Sequence, residues 1–341
     1  MAKNNNLEAQ LPSKRKFGLV IQGALMSVGR TGDKLHQTPD QLKKEGGIVN
    51  YDCRENINKI IKDFGHLFDQ IVVSVFDNQL KPEDNFLGAK IVSSPDLGGI
   101  LQVGHYKDNN KARQFVSTLN GLIELEKSGI EYAIKTRTDT YLDLNKLIES
   151  FFANDTKKIG TTMIHPPTYL LHDLYFMAEL KNLKRFCEAV LAFRRFEFIS
   201  SVHRDMLLKH AFVEYRDKIG VNDSDYFPNF PPDGISLGVR KIFDYMFANA
   251  YFSLGPEIWR GTLWRGTHFA PDHFASLLHG NKSTRIYNLP ALITTDWNRY
   301  FQFMNETQNR SKTLPDKVKA RIGLFGWQLW QMFRKMVRYF V

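Results

Sequence analysis

Short apolar runs alternate with amphipathic helices along the first half of this 341-residue chain, and this alternation limits its fold more than any other feature. Four runs have the length and composition of buried strands, at residues 17–23, 70–77, 90–94 and 132–137. Residues 56–68 and 110–127 carry apolar side chains at helical spacing. The pattern predicts an α/β fold with a doubly wound, mostly parallel sheet.

The composition changes along the chain and predicts four parts. Residues 1–16 are polar and are predicted to be disordered. Residues 17–158 are predicted to form a Rossmann-like lobe, and residues 159–310 a second lobe laid against its sheet. Residues 311–341 are predicted to form a basic amphipathic C-terminal helix. The segment 27–50 reads as a long polar loop, too long to be a plain connector.

The formal net charge of +10 indicates an anionic partner: nucleic acid, an anionic lipid surface or a phosphorylated small molecule. Residues 311–341 hold seven Lys or Arg and one acid. A nucleic-acid binder needs a continuous basic face, so this concentration in one segment argues against nucleic acid. The segment is predicted either to lie on an anionic membrane surface or to dock on the protein's own core, and both alternatives stay open.

Cysteine content and hydropathy indicate the compartment. Cys53 and Cys187 are too few and too far apart for a disulfide framework or a thiolate zinc site, which favours a reducing compartment. Residues 1–16 lack the apolar core of a signal peptide, and no apolar run approaches the roughly 20 residues of a membrane span. The sequence predicts a cytoplasmic protein, with any membrane contact peripheral at the inner face.

A cation and an acid stand together where the fourth predicted strand ends. Arg137 offers a planar fork of donors that matches a phosphate, and Asp139 can bind a divalent metal or accept from a ribose or sugar hydroxyl. Ligands of open α/β sheets bind at the carboxyl ends of the strands. The pair suits a nucleotide diphosphate; the alternative is an ion pair that ties the strand end to its loop.

Other polar residues are predicted to reach the same edge of the sheet. Gln22, Asp77 and Asp96 each follow a predicted strand. One face of the helix that precedes the fourth strand is also polar, through Asn110, Arg113, Gln114 and Ser117. Near a helix N-terminus such a face can hold an anion, although it can also be an ordinary solvated surface.

Four segments in order resemble the WavE lipopolysaccharide-synthesis family of glycosyltransferases: Ile21-Gln22-Gly23, residues 95–98, residues 110–122 and residues 135–139. The resemblance covers roughly residues 17–180. It implies a GT-A-like fold that binds a nucleotide-sugar donor. It also implies that an acid near the end of the fourth strand, here Asp139, holds a divalent metal, Mn²⁺ or Mg²⁺, that bridges the donor's phosphates.

This chain departs from the usual Asp-x-Asp metal motif of such folds, since Arg137 stands where the first acid would be. Asp139 alone can still hold a metal beside the phosphates, or Arg137 can neutralise the diphosphate directly. We expect Gln22 and Asp77 to frame the base and ribose, and Arg113 and Arg137 to hold the diphosphate. The full predicted donor-binding set is Gln22, Gly23, Asp77, Asn110, Arg113, Gln114 and Arg137.

Inverting glycosyl transfer needs a carboxylate that takes the proton of the acceptor hydroxyl. Asp173 is the first candidate, because it lies where the sheet and the second lobe should meet; the alternative is a helix N-cap. The weaker candidates are His165, Asp205, Asp225, Asp233 and Glu257.

Aromatic residues stand beside cations at Trp259-Arg260 and Trp264-Arg265, which suits either a sugar-binding wall or a satellite aromatic core. Taken together, the sequence predicts a glycosyltransferase that moves a sugar from a nucleotide-sugar to a cell-surface polysaccharide or lipopolysaccharide-type acceptor. The alternative is a non-catalytic nucleotide- or glycan-binding scaffold of an envelope-synthesis complex.

Overall fold

The structure is a computed structural model. It describes residues 15–34, 41, 44, 46–96, 111–161, 164–165, 170–171, 173–192, 202–226, 237–254, 258 and 261–269. The strands are β1 (Phe17–Gln22), β2 (Met26–Arg30), β3 (Ile48–Asp52), β4 (Gln70–Phe76), β5 (Lys90–Ser94), β6 (Tyr132–Arg137), β7 (Thr140–Tyr141), β8 (Ile159–Thr161), β9 (Ile164–His165), β10 (Leu170–Leu171), β11 (Phe176–Glu179), β12 (Tyr251–Ser253), β13 (Leu263–Trp264) and β14 (Thr267–His268). The α-helices are α1 (Cys53–Phe64), α2 (Lys111–Lys127), α3 (Leu144–Phe152), α4 (Leu180–Ala192), α5 (Val202–Ile219), α6 (Asp223–Tyr226) and α7 (Leu237–Asn249).

A seven-stranded sheet in the order β12-β8-β11-β6-β1-β4-β5 forms the centre of the molecule. Strand β1 pairs parallel with β4 and β6, β4 pairs parallel with β5, and β12 pairs parallel with β8. Strand β11 runs antiparallel to both of its neighbours. The prediction of an α/β fold with a mostly parallel sheet is therefore confirmed.

Helices cover both faces of this sheet. Leu19 and Ile21 of β1 pack in one core cluster with residues of α1 and α3, whereas Val20 packs in a second cluster with residues of α2, α4 and α7. Because both faces are covered, β1 is buried along its whole length. This explains why the central strands read as continuous apolar runs instead of alternating ones.

Strands from the second half of the chain belong to the same sheet. Strands β8, β11 and β12 extend it beyond β6. The boundary predicted after residue 158 therefore falls within the sheet, directly before β8. Periodicity along the chain locates strands but does not reveal which strands are neighbours, so the sequence alone could not place these three.

Helix starts follow from local capping. Asp52 accepts a hydrogen bond from the backbone N–H of Arg54 and caps α1, and Asp143 accepts from Lys146 and caps α3. Helix α1 accordingly begins at Cys53, three residues before its predicted start at Asn56.

The prediction of a long loop over residues 27–50 is wrong in part. Strands β2 and β3 form an antiparallel ribbon, with Met26 opposite Asp52 and Arg30 opposite Ile48. Met26, Val28 and Ile48 of this ribbon are exposed. The sequence did not predict this ribbon, because its polar residues and Gly29 obscure the alternation of apolar and polar side chains that is typical of a strand.

Two residues of the segment predicted to be disordered, Arg15 and Lys16, lie within the described structure. The carbonyl of Lys16 accepts hydrogen bonds from the N–H groups of Glu131 and Tyr132, and the Arg15 guanidinium lies 5.2 Å from the ring centre of Phe152. These two residues, which the sequence assigned to a disordered start, are thus held against the edge of the core.

The predicted C-terminal helix over residues 311–341 lies outside the described residues. Among the helices that the structure describes, none combines the length and apolar character needed to cross a membrane.

Helix α2 approaches the sheet most closely at Gly121. A Cβ atom at this position would lie 2.5 Å from Cγ1 of the fully buried Val20. We expect Gly121→Ala to destabilise the protein by about 1 kcal/mol, because overpacking costs about 1–3 kcal/mol and the better helix propensity of Ala returns about 1 kcal/mol. Urea unfolding measures this, with Gly261→Ala, where no atom lies within 4 Å of the added Cβ, as the control. An unchanged or raised stability of Gly121→Ala contradicts the prediction.

Candidate active site

A pocket of about 380 Å³ lies at the carboxyl ends of the central parallel strands, and we call it the strand-end pocket. It collects side chains from β1, β2, β6, α2 and the turn between β13 and β14. Its polar lining includes Gln22, Ser27, Gln79, Asp96, Arg113, Gln114, Arg137, Thr138, Asp139 and Arg265. The predicted convergence of Gln22, Asp96 and Asp139 at this edge is thus observed.

The chain leaves β1 through a glycine that its surroundings require. Gly23 has φ +138°, and a Cβ there would lie 2.7 Å from Oγ1 of Thr138. Thr138 donates its N–H to the carbonyl of Gln22 (2.9 Å) and its hydroxyl to the carbonyl of Ala24 (2.7 Å). These bonds fix the ends of β1 and β6 against each other at the floor of the strand-end pocket.

A buried amide supports the turn that carries Asp139. Asn56 of α1 is 7% exposed and donates to the carbonyls of Thr138 (2.8 Å) and Thr140 (3.2 Å). The sequence analysis gave this residue no role. Its position on the apolar face of a predicted helix, beside Ile57, was the available signal, because a buried polar side chain requires a partner.

Arg137 and Asp139 form the ion pair that the sequence left open as an alternative. The guanidinium donates from Nε to Oδ1 of Asp139 (2.9 Å) and from Nη2 to Oδ2 (3.0 Å). This two-point geometry is the strong form of an arginine–carboxylate contact. Asp139 is 3% exposed and the Arg137 side chain 24% exposed, so the carboxylate is out of solvent while Arg137 remains partly accessible.

The β13–β14 hairpin brings a second arginine to the same carboxylate. Strand β13 pairs with β7, and the turn after it places Arg265 with Nη2 3.2 Å from Oδ2 of Asp139. The backbone N–H of Arg265 donates to the Asp139 carbonyl (2.8 Å), and Trp264 donates from Nε1 to Oδ2 (3.1 Å). Trp264 and Arg265 were predicted to belong either to a sugar-binding wall or to a satellite aromatic core, and their contact with Asp139 was not predicted.

These contacts determine the ionisation of the cluster. Burial opposes the charged form of Asp139, but the nearby guanidinium groups of Arg137 and Arg265 outweigh it and lower the pKa of Asp139 to about 2. Burial likewise opposes the charge of Arg137, yet the carboxylates of Asp139 and Asp173 raise the pKa of Arg137 above its ordinary value. The cluster is therefore fully ionised at neutral pH.

The donor set around Asp139 does not fit a divalent metal. Ser27, Arg137, Trp264 and Arg265 all direct N–H or O–H groups at the carboxylate. Across the part of the chain that the structure describes, no group of three or more His, Cys, Asp or Glu is arranged to hold a metal ion. Asp139 as a metal ligand stays a prediction without geometric support.

The start of α2 contributes two of the predicted donor-binding residues. Arg113 donates from Nε and Nη2 to the two carboxylate oxygens of Asp96 (2.6 and 3.1 Å), and both residues line the strand-end pocket. Gln114 lines the pocket too and donates to the Asp173 carbonyl (3.4 Å). Ser117, on the predicted polar face, is instead buried and hydrogen-bonded to Ser74 of β4.

Asp173 lies within ion-pair distance of Arg137 but is not among the residues that line the strand-end pocket. Its Oδ2 is 3.7 Å from Nη1 of Arg137, and the residue is 6% exposed. Strand β11, not a helix, follows it, so the alternative role as a helix N-cap is not observed. Lys135 and Gln114 both donate to its backbone carbonyl, which fixes the position of this segment relative to β6.

The remaining candidates lie elsewhere. Asp77 is exposed and accepts from the N–H of Asn78, while its neighbours Phe76 and Gln79 line the pocket. Asp225 accepts from the N–H of Asn222 at the start of α6. The side chains of His165 and Asp205, and the whole of residues Asn110, Asp233, Glu257, Trp259 and Arg260, lie outside the described part of the chain.

Comparisons with known proteins give no family: no protein-family model matches the chain, and no curated protein matches it. The resemblance to the WavE family is therefore not shown. Solved structures match with low similarity. One is the mannose-1-phosphate geranyltransferase from Thermus thermophilus, at 14% identity over 57% of this chain and 67% of that one, with a TM-score of 0.28.

Two further solved structures have similar values. A glycosyltransferase involved in the glycosylation of the major capsid of PBCV-1 matches at 9% identity over 59% of this chain and 76% of that one, with a TM-score of 0.30. The CMP:2-keto-3-deoxy-manno-octonic acid synthetase complexed with CTP matches at 10% identity over 51% and 78%, also with a TM-score of 0.30. TM-scores this low support no conclusion about activity. Any inference about function therefore rests on the residues of the strand-end pocket.

Lys135 is a charged residue that the sequence analysis left without a role. It is 1% exposed on β6, and burial lowers its pKa to about 7 although the Asp173 carboxylate acts in the opposite direction. The unfolded chain keeps the proton up to about pH 10.5, whereas the folded protein releases it near pH 7. The contribution of Lys135 to the free energy of unfolding therefore rises as the pH increases from about 7 to about 10.5.

We expect the stability of the wild-type protein relative to Lys135→Met to increase by about 2 kcal/mol from pH 7 to pH 9, since one pKa unit corresponds to about 1.4 kcal/mol. Urea unfolding at the two pH values measures the difference. Lys146→Met, at a side chain that is 60% exposed, is the control. Parallel pH profiles for wild type and Lys135→Met would show that Lys135 keeps its proton in the folded protein.

Proposed function

We propose that this chain is a glycosyltransferase that takes a sugar from a nucleotide-sugar donor bound in the strand-end pocket. The observation that supports the proposal most strongly is the meeting of Arg113, Arg137 and Arg265 with the buried amide of Gln22 in that pocket. Guanidinium groups are the side chains best suited to phosphate oxygens. The pocket volume of about 380 Å³ lies within the range of small-molecule sites.

The carboxyl edge of the parallel strands favours a nucleotide in this position, because ligands of open α/β sheets bind there. Gln22 offers an amide for a base or ribose, and Arg137 and Arg113 offer donors for the diphosphate. Asp77 is the one described member of the predicted donor-binding set whose side chain does not line the pocket. We therefore no longer assign Asp77 to the ribose.

In the proposed reaction the bond from the sugar's anomeric carbon to the donor phosphate oxygen breaks. The nucleoside diphosphate leaves with the electron pair, and the acceptor hydroxyl oxygen forms the new bond. In an inverting reaction Asp173 takes the hydroxyl proton. Arg137 lies between Asp139 and Asp173, so it can stabilise charge on the leaving phosphate close to the base.

For the acceptor we propose a cell-surface polysaccharide or lipopolysaccharide-type glycan, on the basis of the resemblance of residues 17–180 to the WavE family. Such an acceptor suits a cytoplasmic enzyme whose basic segment 311–341 contacts the inner membrane surface peripherally. A non-catalytic nucleotide- or glycan-binding scaffold is the competing function, since it could use the same pocket without turnover.

Donor binding is tested by thermal shift with UDP-, GDP-, CMP- and dTDP-sugars. We expect one nucleotide to raise the melting temperature selectively, because ligand at 100 times its Kd stabilises by about 2.7 kcal/mol.

Arg137→Lys loses the planar fork and should weaken binding by about tenfold or more. Arg216→Lys is the control, since Arg216 of α5 pairs with Asp223 and neither residue lines the pocket. Equal binding by the two variants would remove Arg137 from the donor site.

Catalysis is tested separately with Asp173→Asn. We expect turnover to fall by about 100-fold or more without any loss of donor affinity, because a general base contributes about 10²–10⁴. Asp225→Asn is the control, and sugar transfer to a glycan acceptor is the measurement. Wild-type protein that binds a donor but neither transfers nor hydrolyses its sugar would instead support the scaffold function.

A further inference from the structure

We propose that Arg265 is the second cation of the donor's diphosphate site, so that Arg137 and Arg265 together take the place of a divalent metal. This inference rests on the proposed function and deepens it, since it concerns how the same pocket binds phosphate. The sequence motif that contains Arg137 and Asp139 does not include Arg265. No comparison with a known protein assigns Arg265 to a diphosphate site either.

The first support is the occupancy of the Asp139 carboxylate. A carboxylate offers about four lone-pair positions. Oδ1 accepts from Nε of Arg137 at 2.9 Å. Oδ2 has contacts at 2.8 Å with Ser27, 3.0 Å with Arg137, 3.1 Å with Trp264 and 3.2 Å with Arg265. A metal at Oδ2 would have to displace these donors, and a metal at either oxygen would lie beside two fixed positive charges.

The second support is the local charge. Two guanidinium groups face one carboxylate that is 3% exposed, so these three side chains together carry one positive charge, which the Asp173 carboxylate balances through its ion pair with Arg137. Asp173 is 3.7 Å from Nη1 of Arg137, which is an ion-pair distance longer than a direct hydrogen bond. A phosphate oxygen that approaches Arg137 from the pocket can therefore compete with Asp173, and Arg265 provides the balancing charge.

The third support is the way in which Arg265 is held. Arg265 and Gly266 have φ +49° and +81°, the two left-handed residues that a two-residue hairpin turn between paired strands favours, so the β13–β14 hairpin itself fixes the backbone of Arg265. Its Nε donates to the hydroxyl of Ser27 (2.9 Å), and its guanidinium lies 4.4 Å from the ring centre of Trp264. Gly29 leaves the space for it, because a Cβ there would lie 2.9 Å from Nη1 of Arg265.

This arrangement holds a cation at a fixed position in the pocket. The side chain is 9% exposed, and Arg265 is part of the pocket lining. A fixed guanidinium needs no reorganisation when phosphate charge arrives, which is the property of an effective charge-stabilising group. It also stacks on an aromatic ring and forms several hydrogen bonds from one plane, which a lysine could not reproduce.

The test is isothermal titration of the full-length protein with UDP, GDP, CDP and dTDP, in excess EDTA and in excess Mn²⁺. For the nucleotide that binds, we expect the Kd in EDTA to lie within about twofold of the Kd in Mn²⁺, and Arg265→Lys to weaken binding by about tenfold in EDTA. Arg216→Lys on α5, at a surface ion pair with Asp223, is the matched control. The melting temperature of each variant without nucleotide shows whether it is folded.

Each possible outcome decides a different point. Binding that requires Mn²⁺, or an Arg265→Lys protein that is folded and binds like wild type, overturns the inference and leaves the proposed function intact. Because the comparison of EDTA with Mn²⁺ uses the wild-type protein, it decides the metal question even when Arg265→Lys fails to fold. Absence of binding by all four nucleotides in both solutions contradicts the proposed function, and the inference with it.

Discussion

The buried carboxylate of Asp139 is the interaction on which the site depends. It joins three segments that are far apart in sequence: β2 through Ser27, the end of β6 through Arg137, and the β13–β14 hairpin through Trp264 and Arg265. An unpaired carboxylate at this depth would be costly, and the donors of these segments together keep the carboxylate ionised. The wall of the strand-end pocket therefore forms only when the first and last parts of the described chain meet.

The parts of the site that the sequence predicts are those that follow from strand direction. Gln22, Arg137 and Asp139 each stand at the end of an apolar run, and the carboxyl ends of parallel strands share one edge whatever their order in the sheet. Asp77 shows the limit of this reasoning. It also follows a strand, but the 3₁₀ turn Asp77–Gln79 leaves its side chain in solvent and lets Phe76 and Gln79 line the pocket instead.

The sequence could not predict contacts between segments that are far apart along the chain. Ser27 and Arg265 are 238 residues apart, and no local pattern announces their hydrogen bond. Lys135 is a different case, because it interrupts the apolar run of β6 and is therefore a buried charge by position. Such residues are rarely buried without a partner, so this lysine could have been recognised as one that binds another element, here the carbonyl of Asp173.

Arg137 stands where an Asp-x-Asp motif would have its first acid, and this difference changes the charge at the end of β6. Two acids in an Asp-x-Asp motif repel each other, and a divalent cation relieves that repulsion and then binds phosphate. In this chain Arg137 neutralises Asp139 directly, so the pair by itself has no net charge to offer a ligand. Arg113 is likewise matched by Asp96. Under the proposed function, the positive charge for a diphosphate comes from another segment, the β13–β14 hairpin, through Arg265.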